Sequence, residues 1–136
     1  MRAVMPRSRV ARVLKKGNFY EVSSYSKAWP CLLPQHGPGR KHNREIVLTD
    51  WQWRSVRRTP ELLLRGLIQS DGCRFTASKS SGAVRYSFTN RSAAIKEIFC
   101  RGCELVGVRW TVAGDKVYVS RKADVAHLDT FIGPKC

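Results

Sequence analysis

Two spacings of apolar residues alternate through the second half of the chain, and they predict a regular order of elements. Thr59 suits a helix N-cap, Pro60 the first helical position and Glu61 the first turn. The apolar run Leu62-Leu63-Leu64, then Leu67-Ile68, continues that helix, and Gly72 suits its stop. Strict alternation follows. Cys73, Phe75 and Ala77 fall on one face of a strand, with Arg74, Thr76 and Ser78 on the other. After a turn at Lys79-Ser80-Ser81-Gly82, Val84, Tyr86 and Phe88 alternate with Arg85, Ser87 and Thr89. Ser92 suits the cap of a second helix, with Ile95, Ile98, Phe99, Leu105 and Val106 on one stripe and Gly107 at its end. A second strand pair places Val108, Trp110 and Val112, then Val117 and Val119, inward. Arg109 and Thr111, then Lys116, Tyr118 and Ser120, point outward, and the turn is Ala113-Gly114-Asp115. Val125, Leu128 and Ile132 mark a last helix that ends at Gly133-Pro134.

The predicted order over 59–136 is αββαββα. This is an α+β fold with an antiparallel four-stranded sheet, one face covered by helices and the other open. Residues 1–58 are less regular and read as a basic N-terminal extension. A short basic helix is expected from Arg7 to Lys16, with strands at Trp29–Leu33 and Glu45–Leu48. The Pro- and Gly-rich run from Pro34 to His42 is a loop between them, and Asp50 caps a short helix through Trp51, Trp53 and Val56. Trp29, Trp51 and Trp53 are expected in the core, because reading a duplex does not require base stacking.

Charge narrows the partner. The chain has 136 residues and a formal net charge of +15, with +10 of it in residues 1–60 and +5 in 61–136. Such a field attracts polyanions. At 43% hydrophobic residues the chain can bury a core, and wholesale disorder is excluded. No stretch approaches the apolar length of a membrane span. The Arg-rich start lacks the apolar segment of a secretory signal, so a basic arm is preferred to an organellar transit peptide. Cys31, Cys73, Cys100, Cys103 and Cys136 form an odd set without framework spacing. They read as reduced thiols of a cytoplasmic, nucleoid-associated protein. The open sheet face would then present Arg74, Thr76, Arg85, Ser87, Thr89, Arg109, Thr111 and Tyr118 to phosphates and base edges of duplex DNA. Arg40 and Lys41 would add phosphate contacts from the extension.

Leu64-Arg65-Gly66-Leu67-Ile68-Gln69-Ser70-Asp71-Gly72 resembles the LAGLIDADG motif of a family of homing endonucleases. Leu64, Gly66, Leu67, Ile68, Asp71 and Gly72 match it. The motif lies on the first predicted helix and is followed by the family's ββαββα order. With Gln35 to His42 and a final Ile-Gly-Pro-Lys, the chain is most similar to short, single-motif members from actinobacterial genomes. The resemblance implies a homodimer, with Gly66 and Ser70 on the helix face where two copies meet. It implies that Asp71 binds Mg²⁺ beside the scissile phosphates, that Lys122 (next best, Arg121) assists catalysis, and that Ser87 is the polar residue on the second strand. Gln69 stands where the family has a further acid, and Arg65 where it has a small apolar residue. The implied activity is site-specific, Mg²⁺-dependent double-strand cleavage. A DNA-binding transcription regulator that does not cut, and an RNA-binding cofactor of intron splicing, are the rival readings.

Other constellations are weaker. Cys100 and Cys103 would form half a zinc site if Cys31, Cys73, His36 or His42 completed it, but they fall inside a predicted helix. His36, His42 and Asn43 lack the ββα context of an HNH nuclease. Asp71 also reads as a simple helix-end acid, His127 as a surface residue, and Asn90-Arg91-Ser92 as a formal glycosylation sequon.

Overall fold

The computed structural model describes residues 7–40, 43–78, 80 and 82–133. The chain divides into two compact units, Met1–Pro38 and Gly39–Cys136.

The first unit holds a hairpin of β1 (Val10–Lys15) and β2 (Phe19–Ser24), paired from Val10↔Ser24 to Lys15↔Phe19. The basic helix expected at Arg7–Lys16 is therefore a strand. Gly17 (φ +99°) and Asn18 (φ +56°) explain the difference, since both occupy left-handed backbone that turns the chain on itself. Cross-strand contacts then favour the extended form. Arg12 lies 3.6 Å from the centroid of the Tyr20 ring, and Lys15 pairs with Glu21 at 3.3 Å. The strand expected at Trp29–Leu33 is a helical turn, α1 (Trp29–Leu32). Pro30 sits at its start, where the missing N–H is not needed. The Trp29 indole N–H donates to the Ser24 carbonyl at 3.2 Å.

The second unit opens with Glu45–Leu48, which is not a strand. The segment lines a cleft with Trp53, Ala94 and Ile98 instead. Helix α2 (Asp50–Arg58) is capped one residue earlier than expected: the Thr49 backbone N–H donates to Gln52 Oε1 at 2.9 Å. Helix α3 (Pro60–Asp71) follows at once. Thr59 flanks it, but its hydroxyl turns back to the Ser55 carbonyl of α2. Trp53 is partly buried and Trp51 is 42% exposed, so Trp51 does not join the core.

Strands β3 (Gly72–Thr76) and β4 (Val84–Thr89), helix α4 (Ala93–Leu105), strands β5 (Thr111–Ala113) and β6 (Lys116–Val119), and helix α5 (Lys122–Ile132) complete the chain. The αββαββα order is as read from the sequence. The four strands are antiparallel in the order β3-β4-β6-β5. The fold is thus α+β. Phe88 and Phe99 stack with ring centroids 4.5 Å apart, which fastens α4 to the sheet. Leu64 and Ile68 of α3, Val117 and Val119 of β6, and Leu128 and Ile132 of α5 are all buried around them. A Cβ on Gly102 would lie 3.0 Å from a Leu64 methyl, so glycine lets α4 press close to α3. Ser92 caps α4 by accepting from the Ile95 N–H at 3.4 Å. No helix among the described residues is long and apolar enough to cross a membrane.

Candidate nucleic-acid interface

Cross-strand partners in an antiparallel sheet share a face, so the register assigns each side chain. Phe88 pairs with Gly72 and Val117, and Tyr86 with Arg74 and Val119. These residues, with Thr76 opposite Val84, lie on the covered face. The open face carries Cys73 and Phe75 from β3, Arg85, Ser87 and Thr89 from β4, Lys116 and Tyr118 from β6, and Thr111 and Ala113 from β5. Arg109 is exposed just before β5.

Strand β3 therefore faces the opposite way from the sequence reading. Arg74 and Thr76 leave the proposed DNA face, and Cys73 and Phe75 join it. Gly72 sets this parity. A Cβ there would lie 2.6 Å from Ile68 Cα, so glycine alone fits where the strand leaves α3. Its φ of −99° is ordinary, and close approach rather than conformation makes the demand. With Gly72 pressed inward, the twofold period puts Arg74 and Thr76 inward too. A buried arginine would be costly, but β3 is an edge strand. Arg74 reaches the margin and donates Nε and Nη2 to Asp129 of α5 at 2.8 and 2.9 Å. The Tyr86 hydroxyl donates to the same carboxylate at 2.6 Å. The Arg74 hydrogen bonds hold the Asp129 carboxyl below its ordinary range, while burial, followed by the bond to Asp129, pushes the Tyr86 phenol up to about 12.

Among the described residues, no carboxylate occupies a paired strand position of the open face. Its cations are Arg85 and Lys116, and its hydrogen-bonding groups are Ser87, Thr89, Thr111 and Tyr118; Arg109 precedes β5, and its backbone N–H donates to Asp124 Oδ2 of α5 at 3.2 Å. Lys116 and Phe75 also stand on this face, though neither is among the residues expected to contact DNA. Alternation alone pointed to Lys116, and only the inverted register to Phe75.

Asp71 ends α3 and is exposed. The Asn90 side-chain N–H donates to Asp71 Oδ2 at 3.1 Å, and Asn90 Oδ1 accepts from the Ser92 N–H at 2.9 Å. The Asn90 backbone N–H also reaches the Asp115 carbonyl at 3.2 Å. Asn90 is 7% exposed and joins the end of α3, the start of α4 and the β5–β6 turn. The sequon reading hid this role; its one signal was an Asn two residues before a helix-capping Ser.

The other motif-derived residues are scattered. Gln69 donates to the Ile132 carbonyl at 3.2 Å and satisfies the end of α5. Lys122 starts α5 and lines a cleft of about 460 Å³ with Arg74, Ala83, Val84 and Ser120. That cleft is at the Val84 end of β4, whereas Asp71 touches Asn90 beyond the Thr89 end. The two are separated by about the length of β4, roughly 15–20 Å at the usual rise per strand residue. Arg121 precedes Lys122 at the same end. Ser87 lies on the open face between Cys73 and Tyr118. Gly66 and Ser70 are exposed on α3, with open space above Gly66. Arg65 is exposed too, outside the contact with α4.

Arg40 is exposed, and Lys41 and His42 lie outside the described residues. Cys100 and Cys103 are buried in α4, and burial raises both thiols, Cys103 to about 12. Among the described residues, no group of three or more His, Cys, Asp or Glu could hold a metal ion. His127 is exposed and packs its ring edge-on to Phe131. Comparison with protein-family models, curated proteins and solved structures found no match to this chain.

Proposed function

We propose that this chain binds duplex DNA on the open face of its four-stranded sheet, as a homodimer of the LAGLIDADG type. The observation that carries the reading is a face whose paired strand positions, among the described residues, hold cations and hydroxyls but no carboxylate. Arg85, Lys116 and Arg109 contact phosphates, and Ser87, Thr89, Thr111 and Tyr118 supply donors and acceptors within reach of a major groove. The exposed Gly66–Ser70 face of α3, on which small residues permit close approach of a second helix, is the proposed seam. Two copies related by a twofold axis read a roughly symmetric site.

The proposed reaction is Mg²⁺-dependent cleavage of both strands. Asp71 suits the ion in part: it is exposed, Asn90 orients it through Oδ2, and among the described residues no side-chain hydrogen bond reaches Oδ1. Mg²⁺ ordinarily keeps several waters and takes one or two carboxylates together with substrate phosphates, so one aspartate from each copy is a sufficient protein share. Bound there, the ion supplies charge stabilisation at the scissile phosphate. Asn90 acts as a positioning residue for Asp71.

A regulator that binds without cutting is the second reading. Two observations favour it: Lys122 lies at the far end of the sheet from Asp71, and Gln69 is engaged with the end of α5.

The test is selection of random duplexes in Ca²⁺, followed by incubation of the recovered site with Mg²⁺. Wild type and Asp71→Asn run in parallel, with A-form RNA duplex as competitor. Discrete double-strand cuts by wild type, absent in the variant, are the expected result. Specific binding without cuts leaves the regulator. Preferential loss of binding to the RNA competitor removes the DNA reading.

A further inference from the structure

Helix α2 is amphipathic in an unusual way. Gln52, Trp53 and Val56 are partly buried, while Trp51, Arg54, Ser55, Arg57 and Arg58 are exposed. At 100° per residue, Trp51, Arg54 and Arg58 form one stripe and Arg57 flanks it. Asp50, at the first position, is the helix's one carboxylate. The described ion pairs are Lys15–Glu21, Arg74–Asp129 and Lys96–Asp115, so none of the three α2 guanidinium groups is paired with a carboxylate. Arg54 repels Arg57 and Arg58 at spacings of three and four, which costs an isolated helix stability. The helix C-terminus offsets part of that for Arg57 and Arg58. An exposed indole, 42% accessible, sits in the same stripe. Glu104 of α4 shares a cleft with Arg57, Arg101 and Trp53 on the flank, away from the Trp51–Arg54–Arg58 stripe.

The inner side of α2 lies on the helix layer. It packs on α3, and Arg101 of α4 stacks over the Trp53 ring at 4.5 Å. Helix α4 in turn covers the sheet through Phe99 on Phe88. The arginine stripe and the open sheet face are therefore on opposite sides of the domain.

We infer that the outer stripe of α2 is a second phosphate-backbone contact, so that the protein joins two duplex segments across its helix layer. The inference rests on the DNA-binding reading of the sheet. Charge complementarity identifies the occupant. Arg54 and Arg58 along the stripe, with Arg57 on its flank and none of them in an ion pair among the described residues, suit a row of phosphates, and the flat Trp51 ring suits the adjoining sugars. The proposed contact is to the phosphate backbone, which carries no base sequence.

A sandwich assay with the full chain tests this. One short duplex is immobilised, and a second, fluorescent duplex is added with wild type, with Arg54→Gln/Arg57→Gln/Arg58→Gln, or with Arg85→Gln/Lys116→Gln. Glutamine keeps helix propensity, and circular dichroism verifies folding. Wild type should retain the second duplex. The α2 variant should lose at least about tenfold of that retention and change single-duplex affinity by less than about threefold, as expected for a sequence-independent contact. Unchanged retention by the α2 variant overturns the inference and leaves the sheet reading intact. Unchanged single-duplex binding by the sheet variant removes the sheet reading and overturns the two-duplex inference with it. Phosphatidylserine vesicles form a further arm: α2-dependent vesicle binding without duplex retention overturns the inference in favour of a membrane surface.

Discussion

Arg74 and Arg85 sit on neighbouring strands of one hairpin, yet they belong to different faces and have different partners. Arg74 is held in a fork by Asp129, with Tyr86 bonded to the same carboxylate. Arg85 is exposed on the open face with no ion pair among those described. The first ties an edge strand to α5; the second is available to a phosphate. Residue type says nothing of this difference, which follows from strand parity. An arginine in a basic protein becomes a binding residue only when the fold leaves it without an internal carboxylate.

The contrast between the two faces breaks most sharply at the covered one. Phe88→Ala should destabilise the fold by about 3–5 kcal/mol, because a fully buried ring stacked on Phe99 is lost. Denaturant unfolding measures it, and a cost below about 1 kcal/mol would show that the covered face is not the core. On the open face, Arg85→Glu should leave stability within about 0.5 kcal/mol. It should weaken duplex binding by about tenfold and lower the slope of log affinity against log salt by about one. Titrations at several salt concentrations read both quantities.

Arg74→Gln should do the reverse. It should cost about 1 kcal/mol of stability, the scale of an exposed but bidentate pair, and leave the salt slope of DNA binding unchanged. A fall in that slope would return Arg74 to the interface. The pH dependence is smaller. The Asp129 carboxyl titrates below its unfolded value, so its stabilisation is present above the ordinary carboxylate range. It fades as pH falls through the folded value. Unfolding curves between neutral pH and about pH 3 should therefore converge for wild type and Arg74→Gln at the acid end. Cysteine reactivity supplies the finest distinction: Cys73, exposed, should alkylate in the native protein, and Cys103, buried with its thiol raised to about 12, only on unfolding. Mass spectrometry after native labelling reads the order.

From Thr59 onward the residue pattern was enough to give the number, type and order of elements. The reason is physical: helix spacing in α3, α4 and α5 is marked by capping and stop residues, and strand alternation in β4 and β6 is unambiguous because Tyr86, Phe88, Val117 and Val119 are strongly apolar. It also marked Asp71 as the helix-end acid. The first unit was not legible, because the apolar positions of Val10–Lys15 fit more than one period and the hairpin turn at Gly17-Asn18 was needed to choose.

The direction in which β3 faces came from packing, not from pattern. Cys73, Arg74, Phe75 and Thr76 offer two faces of mixed polarity, and on an edge strand an arginine can escape burial. The close approach of Gly72 to Ile68 breaks that tie. Tertiary structure likewise separated Lys122 from Asp71 and brought Asn90 to it, since residues distant in sequence meet only where the strand register and the helix ends allow.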